Sequence, residues 1–251
     1  MKKPAFAAML SIGLAAMAVP ALAQETQPAA PADASEPAQA APAAQMTPEQ
    51  IAAFNQAVAD FTAGQQLQQA GNNAGAVAKY EAALPAVRAA VAAQPDNADY
   101  ASFLANALYA TAAAQAATQK FDAALSLYKE AVPLWRNQHA ANPADANSRN
   151  ILAGMLVQLG NQALTAKDKA VAGTYYREAT DLARKSVAAA PADPLNNNLL
   201  LSALIGLSQT SEDKAVMDEA LAMGKKMMAD GSIDPVNKPS IEIMTGAKSA
   251  G

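Results

Sequence analysis

The chain repeats itself at a fixed interval of 48 residues, and that interval constrains its fold more than any composition value does. Pro95, Pro143 and Pro191 keep it, as do Tyr80, Tyr128 and Tyr176, and Arg88, Arg136 and Arg184. Leu104, Leu152 and Leu200 match, and so do Leu108, Leu156 and Leu204. Ala83, Ala131 and Ala179 keep the spacing too, although alanine is so frequent here that they add little. One coincidence carries no weight; a shared offset across Pro, Tyr, Arg and Leu does. Residues 49–240 hold four such repeats. A period of roughly 20–50 residues marks a stacked architecture, in which no repeat can bury its apolar face alone.

Each repeat reads as two antiparallel helices. In the third, Asp145 or Asn147 is placed to cap a helix whose Ile151, Leu152, Met155, Leu156 and Leu159 recur at helical spacing. A turn follows at Ala166, Lys167 and Asp168, then a second helix carrying Val171, Tyr175, Leu182 and Val187 up to Pro191. The second repeat shows the same plan, with Phe103, Leu104, Ala107 and Leu108, then Phe121, Leu125, Tyr128, Val132 and Trp135. No stretch alternates at period two with β-branched residues, so strands are not expected. The expected fold is all-α, a helical-hairpin solenoid of about four repeats.

These residues resemble the tetratricopeptide repeat (TPR) family. The run Leu159-Gly160-Asn161-Gln162-Ala163 through Asp168, Ala172, Tyr176 and Ala179 is similar to its consensus without a gap. The first repeat matches through Gly64, Gly71, Ala76, Tyr80 and Ala83, and the second through Ala112, Phe121, Ala124, Tyr128 and Ala131. The fourth retains Asp218-Glu219-Ala220-Leu221 but has Gly224 where the aromatic belongs. Small residues at such positions let helix backbones approach, and the aromatic fills the space between repeats. The period departs from the family's, which is about 34 residues. Arg88, Arg136 and Arg184 stand where the family has its closing Pro. The second helix is therefore expected to run on to Pro95, Pro143 and Pro191, and the first to begin correspondingly early. Pro85 and Pro133 fall inside the second helices, where a lost hydrogen bond predicts a kink.

The segment before the repeats has a different character. Lys2 and Lys3 precede an uncharged run over 6–19, then Pro20 and Ala21-Leu22-Ala23. That is the arrangement of a cleaved secretory signal, expected over residues 1–23 with cleavage after Ala23. The apolar run falls short of the ~20 residues that span a bilayer, so no stable membrane insertion is expected after cleavage. Residues 24–48 form an Ala/Pro-rich linker; 24–47 contain nine Ala and four Pro with no aromatic and no Lys or Arg, too little apolar bulk to offset chain entropy. Residues 241–251 read as a C-terminal tail. The expected location is periplasmic or secreted, which suits a chain with no Cys.

Composition excludes several kinds of chemistry. Without Cys there is no disulfide framework, thiolate metal site or Cys nucleophile. Eighteen basic against 22 acidic residues do not suggest a nucleic-acid footprint. His139, the only imidazole, has no carboxylate at ligand spacing. Asp96, Asp99 and the run from Asp193 to Asn198 sit at helix starts, where capping explains them. No phosphate loop or nucleophile elbow is present. The reading is not an enzyme, with no cofactor and no metal.

Binding remains. The resemblance places a concave face on the first helix of each repeat: Val58, Phe61, Gln65 and Gln68, then Asn106, Tyr109 and Ala113, then Val157, Asn161 and Leu164. This face carries no Lys or Arg, so the family's carboxylate-clamping subtype is not expected. The Arg88, Arg136 and Arg184 stripe reads as a solvated helix face, or as pairing with an acidic partner or with Glu81, Glu130 or Glu178. The expected function is an exported non-catalytic scaffold for a protein or peptide partner in the bacterial cell envelope. The alternative is a periplasmic accessory protein that binds a small solute within the helical stack. Protein recovered after export should begin at Gln24 by N-terminal sequencing; an intact Met1 would remove the export signal from the reading.

Overall fold

The computed structural model describes residues 46–211 and 213–246; the expected signal and most of the linker lie outside them. Within the described residues the chain is all-α and contains no strand. Its helices are α1 (Pro48–Gln69), α2 (Asn73–Ala93), α3 (Ala98–Ala117), α4 (Phe121–Ala141), α5 (Ala146–Thr165), α6 (Lys169–Ala189), α7 (Pro194–Thr210), α8 (Lys214–Asp230) and α9 (Lys238–Met244). They belong to two compact units, one up to Ala107 and one from Leu108 onward, with the boundary inside α3. In the N-terminal unit α1 and α2 form a hairpin. In the C-terminal unit each helix from α4 to α9 packs on the next, and α5 also packs on α7.

The 48-residue period recurs in the backbone at three points. At first-helix starts, Asn97 Oδ1 accepts from the N–H groups of Asp99 and Tyr100 at 3.0 and 3.2 Å. Asp145 accepts from Asn147 and Ser148 at 3.0 and 3.1 Å, and Asp193 from Leu195 at 2.9 Å. Asp145, rather than Asn147, is therefore the cap, and Asn97 fills that role beside Asp96 and Asp99. Within the hairpins, Gly71, Gln119 and Lys167 all adopt left-handed φ, at 78°, 64° and 64°. Only the first of these is the residue that tolerates such a φ without strain. At second-helix ends, Gln94, Asn142 and Ala190 leave the helix at φ −134°, −137° and −142°. Each precedes a proline, whose ring disfavours helical geometry at the residue before it. The long second helices expected from the missing family proline are thus present, and α2 and α4 continue through Pro85 and Pro133.

A tyrosine set against glycine holds each of two hairpins together. In the N-terminal unit a methyl group at Gly64 would come within 2.5 Å of the Tyr80 ring. Phe61 packs on the same ring with centroids 5.2 Å apart. In the C-terminal unit the fully buried Tyr176 ring occupies the space that side chains on both Gly160 of α5 and Gly206 of α7 would need. Tyr128 and Trp135 of α4 are buried beside Tyr109, with centroids at 6.2 and 6.0 Å. Ile151, Leu152, Met155, Leu156 and Leu159 are all core, as their spacing predicts. Val171 is not: it lies in the first turn of α6 beside the hairpin turn and is 42% exposed.

Ion pairs clip the second helices on their outer surface. Arg136 grips Glu178 with two bonds, Nε to Oε1 at 2.8 Å and Nη2 to Oε2 at 2.6 Å. Arg184 Nη2 reaches Glu219 Oε2 at 2.5 Å. Two members of the arginine stripe therefore pair between repeats, each pair worth up to about 1 kcal/mol at such exposure.

The fourth hairpin is shorter, with 17 residues in each of α7 and α8. Where an aromatic would stand, Gly224 instead receives Ile241 of α9, which is fully buried among Leu201, Ile205 and Met227. The boundary at 240 drawn from the sequence falls inside α9. Asn198 and Asn237 tie this segment down: Asp234 N donates to Asn198 Oδ1 at 2.7 Å, and Ser202 Oγ to Asn237 Oδ1 at 2.7 Å.

Relief of left-handed strain by Lys167→Gly should raise unfolding free energy by about 1 kcal/mol. Gly206→Ala should lower it by about 1–3 kcal/mol, because a methyl there displaces the Tyr176 ring. Urea unfolding measures both, and the opposite sign for either would contradict the packing described.

Candidate interaction site

The first-helix positions suggested by the resemblance fall in both units. Val58, Phe61, Gln65, Gln68 and Asn106 are in the N-terminal one, and Tyr109, Ala113, Val157, Asn161 and Leu164 in the C-terminal one. Four of them are core: Val157, Phe61, Ala113 and Tyr109 expose 2, 3, 4 and 8% of their surface. Val58, Gln65, Gln68, Asn106 and Leu164 are half-buried, and Asn161 is exposed. Two of the amides already have structural partners. Tyr80 donates its hydroxyl to Gln68 Oε1 at 2.8 Å, and Tyr176 to Asn161 Oδ1 at 2.6 Å. Burial pushes the Tyr80 and Tyr109 phenols up to about 12 and raises those of Tyr128 and Tyr176, so all four stay neutral.

The reason lies in close helix packing. Small residues bring the backbones together, so α5 is buried at every position of 148–160 except Asn150 and Gly154. Side chains that line an open surface in the resembling family are here interior. What remains accessible is Val58 and Gln65 on one hairpin, and Leu164 with Asn161 on the other.

A second polar assembly, not singled out from the sequence, lies at the opposite end of the C-terminal hairpins. It joins the last turn of α4 (His139), the first turn of α5 (Arg149 and Asn150), the last turn of α6 (Lys185 and Ser186) and the first turn of α7 (Asn196). Arg149 is 6% exposed, yet among the described residues no carboxylate forms an ion pair with it. Its Nε donates to Ser186 Oγ at 2.9 Å, and its Nη1 makes a long contact of 3.4 Å to the Pro143 carbonyl. Ser186 Oγ donates to Asn150 Oδ1 at 2.5 Å. Asn150 Nδ2 donates to Asn196 Oδ1 at 2.9 Å, and Asn196 Nδ2 to the Ser186 carbonyl at 3.3 Å. The serine hydroxyl thus accepts from Arg149 and donates to an amide oxygen.

His139 buries Nδ1 without a hydrogen-bond partner. Its burial, then the nearby Arg149 and Lys185 charges, hold the imidazole below its usual 6.5, with Asp145 opposing. These residues occupy the extra turns by which the repeat exceeds the family length. The available signal was departure from the period: Arg149 stands where the neighbouring repeats have Ala101 and Asn197.

No protein-family model matches the chain, and no curated protein matches it. Among the described residues no group of three or more His, Asp or Glu is placed to hold a metal ion. None of the described helices is long and apolar enough to cross a membrane.

Because the folded imidazole binds its proton less readily than the unfolded one, the unfolded state takes up protons first as pH falls through 6.5. Stability should therefore drop as pH falls below that value. Thermal melts between neutral and mildly acidic pH should show a larger decline for the wild type than for His139→Gln; identical slopes would contradict the depressed value.

Proposed function

We propose that this chain is an exported, non-catalytic, TPR-like scaffold that binds a protein or peptide partner in the bacterial cell envelope. One observation carries the reading: polar side chains that keep the 48-residue period are spent on architecture. Asn97, Asp145 and Asp193 cap helices, Tyr80 and Tyr176 bond to amides across their hairpins, and Arg136 and Arg184 clip neighbouring helices. A stack built this way serves by presenting surface, the usual use of helical repeats. Export and envelope location rest on the signal-like residues 1–23.

The accessible first-helix positions, rather than the buried ones, are where recognition is expected. Protein beginning at Gln24 should retain a specific partner from a periplasmic extract, identified by cross-linking and mass spectrometry. Leu164→Glu or Gln65→Glu should weaken that capture about tenfold if either hairpin supplies part of the interface. Retention of no protein above a control column, together with a small solute seen by native mass spectrometry, would replace this reading with that of a solute-binding accessory.

A further inference from the structure

We infer that Met223, Met228 and Met244 form an oxidation site, at which hydrogen peroxide converts thioethers to sulfoxides and so loosens α9 from the last hairpin. Seven of the ten methionines lie among the described residues, and five of those fall within 217–244. They do not follow the period. Where Met228 stands the earlier repeats have Leu84, Val132 and Thr180, and where Met227 stands they have Ala83, Ala131 and Ala179. The second helices α2, α4 and α6 contain no methionine. Exposure divides the seven. Met155, Met227 and Met46 are core, at 1, 4 and 9% exposed, whereas Met217, Met223, Met228 and Met244 are half-buried. Among the described residues, the methionines open to solvent are therefore those of α8 and α9.

Three of these four belong to the packing that holds α9. Met223, Met228 and Met244 pack against the cluster of Leu201, Ile205, Met227 and Ile241; Met217, in the first turn of α8, is not one of that group. With seven residues, α9 is too short to stand as a helix without tertiary support. Its hold comes from Ile241 over Gly224, with the Asp234–Asn198 and Ser202–Asn237 bonds beside it. Flexible thioethers suit the irregular space around such an isoleucine. Oxidation changes their chemistry in place. The sulfur lone pair attacks one peroxide oxygen and the O–O bond breaks; the proton on the transferred oxygen passes to the departing hydroxide, leaving sulfoxide and water. Sulfur loses two electrons and the peroxide gains them. A polar oxygen then stands on what was an apolar contact, and its desolvation favours the state in which α9 has left the cluster. The inference goes beyond the scaffold reading and does not rest on it, since it needs only that the folded chain meet the oxidant.

Limited treatment of the folded protein with hydrogen peroxide, read by peptide mapping, should oxidise Met223, Met228 and Met244 well before Met155 or Met227. Hydrogen exchange then reads the consequence at the amides of Asp234, Ile241 and Thr245, which donate to Asn198 Oδ1 and to the Asn237 and Ile241 carbonyls. Their protection should fall about tenfold on oxidation, while that of α5 stays unchanged. In a Met223→Leu/Met228→Leu/Met244→Leu variant, which nearly conserves apolar volume, peroxide should leave these amides protected although Met217 still oxidises. Met217→Leu, by contrast, should leave the loss intact, and it decides alone if the triple variant does not fold. Oxidation of Met155 or Met227 as fast as of the three would overturn the site. So would protection unmoved by oxidation, an equal fall in the triple variant, or a fall abolished by Met217→Leu.

Discussion

The Tyr176 ring lies where neither Gly160 nor Gly206 could carry a side chain, and the C-terminal hairpins are arranged around that fact. Two glycines on two first helices let α5 and α7 close on one aromatic from α6, which brings three backbones within reach of a single side chain. The phenol must then satisfy its hydroxyl inside the hairpin, and Asn161 is recruited to do so. Crowding follows along the first helices, so α5 over 148–160 and α7 over 199–208 are buried around most of their circumference. A face that is open in shorter repeats has become interior. Tyr80 on Gly64 shows the same arrangement in the N-terminal hairpin, with Gln68 as the acceptor.

Much of this fold was legible because the period is carried by residues whose backbone role is stereotyped. Proline at 95, 143 and 191 follows the end of a helix each time, and Asp or Asn two residues later caps the next one. Helical spacing marked Leu152, Leu156 and Leu159 as core, and they are. Val171 was misplaced because periodicity reports a face of the helix and not a position along its axis; the first turn projects beyond the neighbouring helices. The fourth repeat was harder. Gly224 signals a missing aromatic, but Ile241, which takes up the vacated space, comes from outside the repeat and has no periodic mark.

Exposure along the first helices was the least legible part. Carrying a family's surface positions onto a longer repeat assumes that the helices pack alike, whereas here Tyr80 and Tyr176 fill space left open by glycine. Phe61, Tyr109, Ala113 and Val157 became core for that reason. Arg149 escaped notice for the opposite reason: a search for shared positions passes over a residue that its counterparts lack. The informative charges were those that break the period, since Arg136 and Arg184, which keep it, are occupied by Glu178 and Glu219.

The closing of the last hairpin bears on how long such an array can grow. Stacked repeats end in a surface ready to accept another copy of themselves, and an uncovered end invites polymerisation. Here Asn198, at the position where Asn150 engages Ser186 of its own hairpin, accepts from Asp234 N at its side-chain oxygen and from Asn237 Nδ2 at its backbone carbonyl, both from the same chain. Ile241 fills the space over Gly224, and Asn237 is buried beside Ser202. Residues after α8 thus cover the α7–α8 end of the stack from within the same chain.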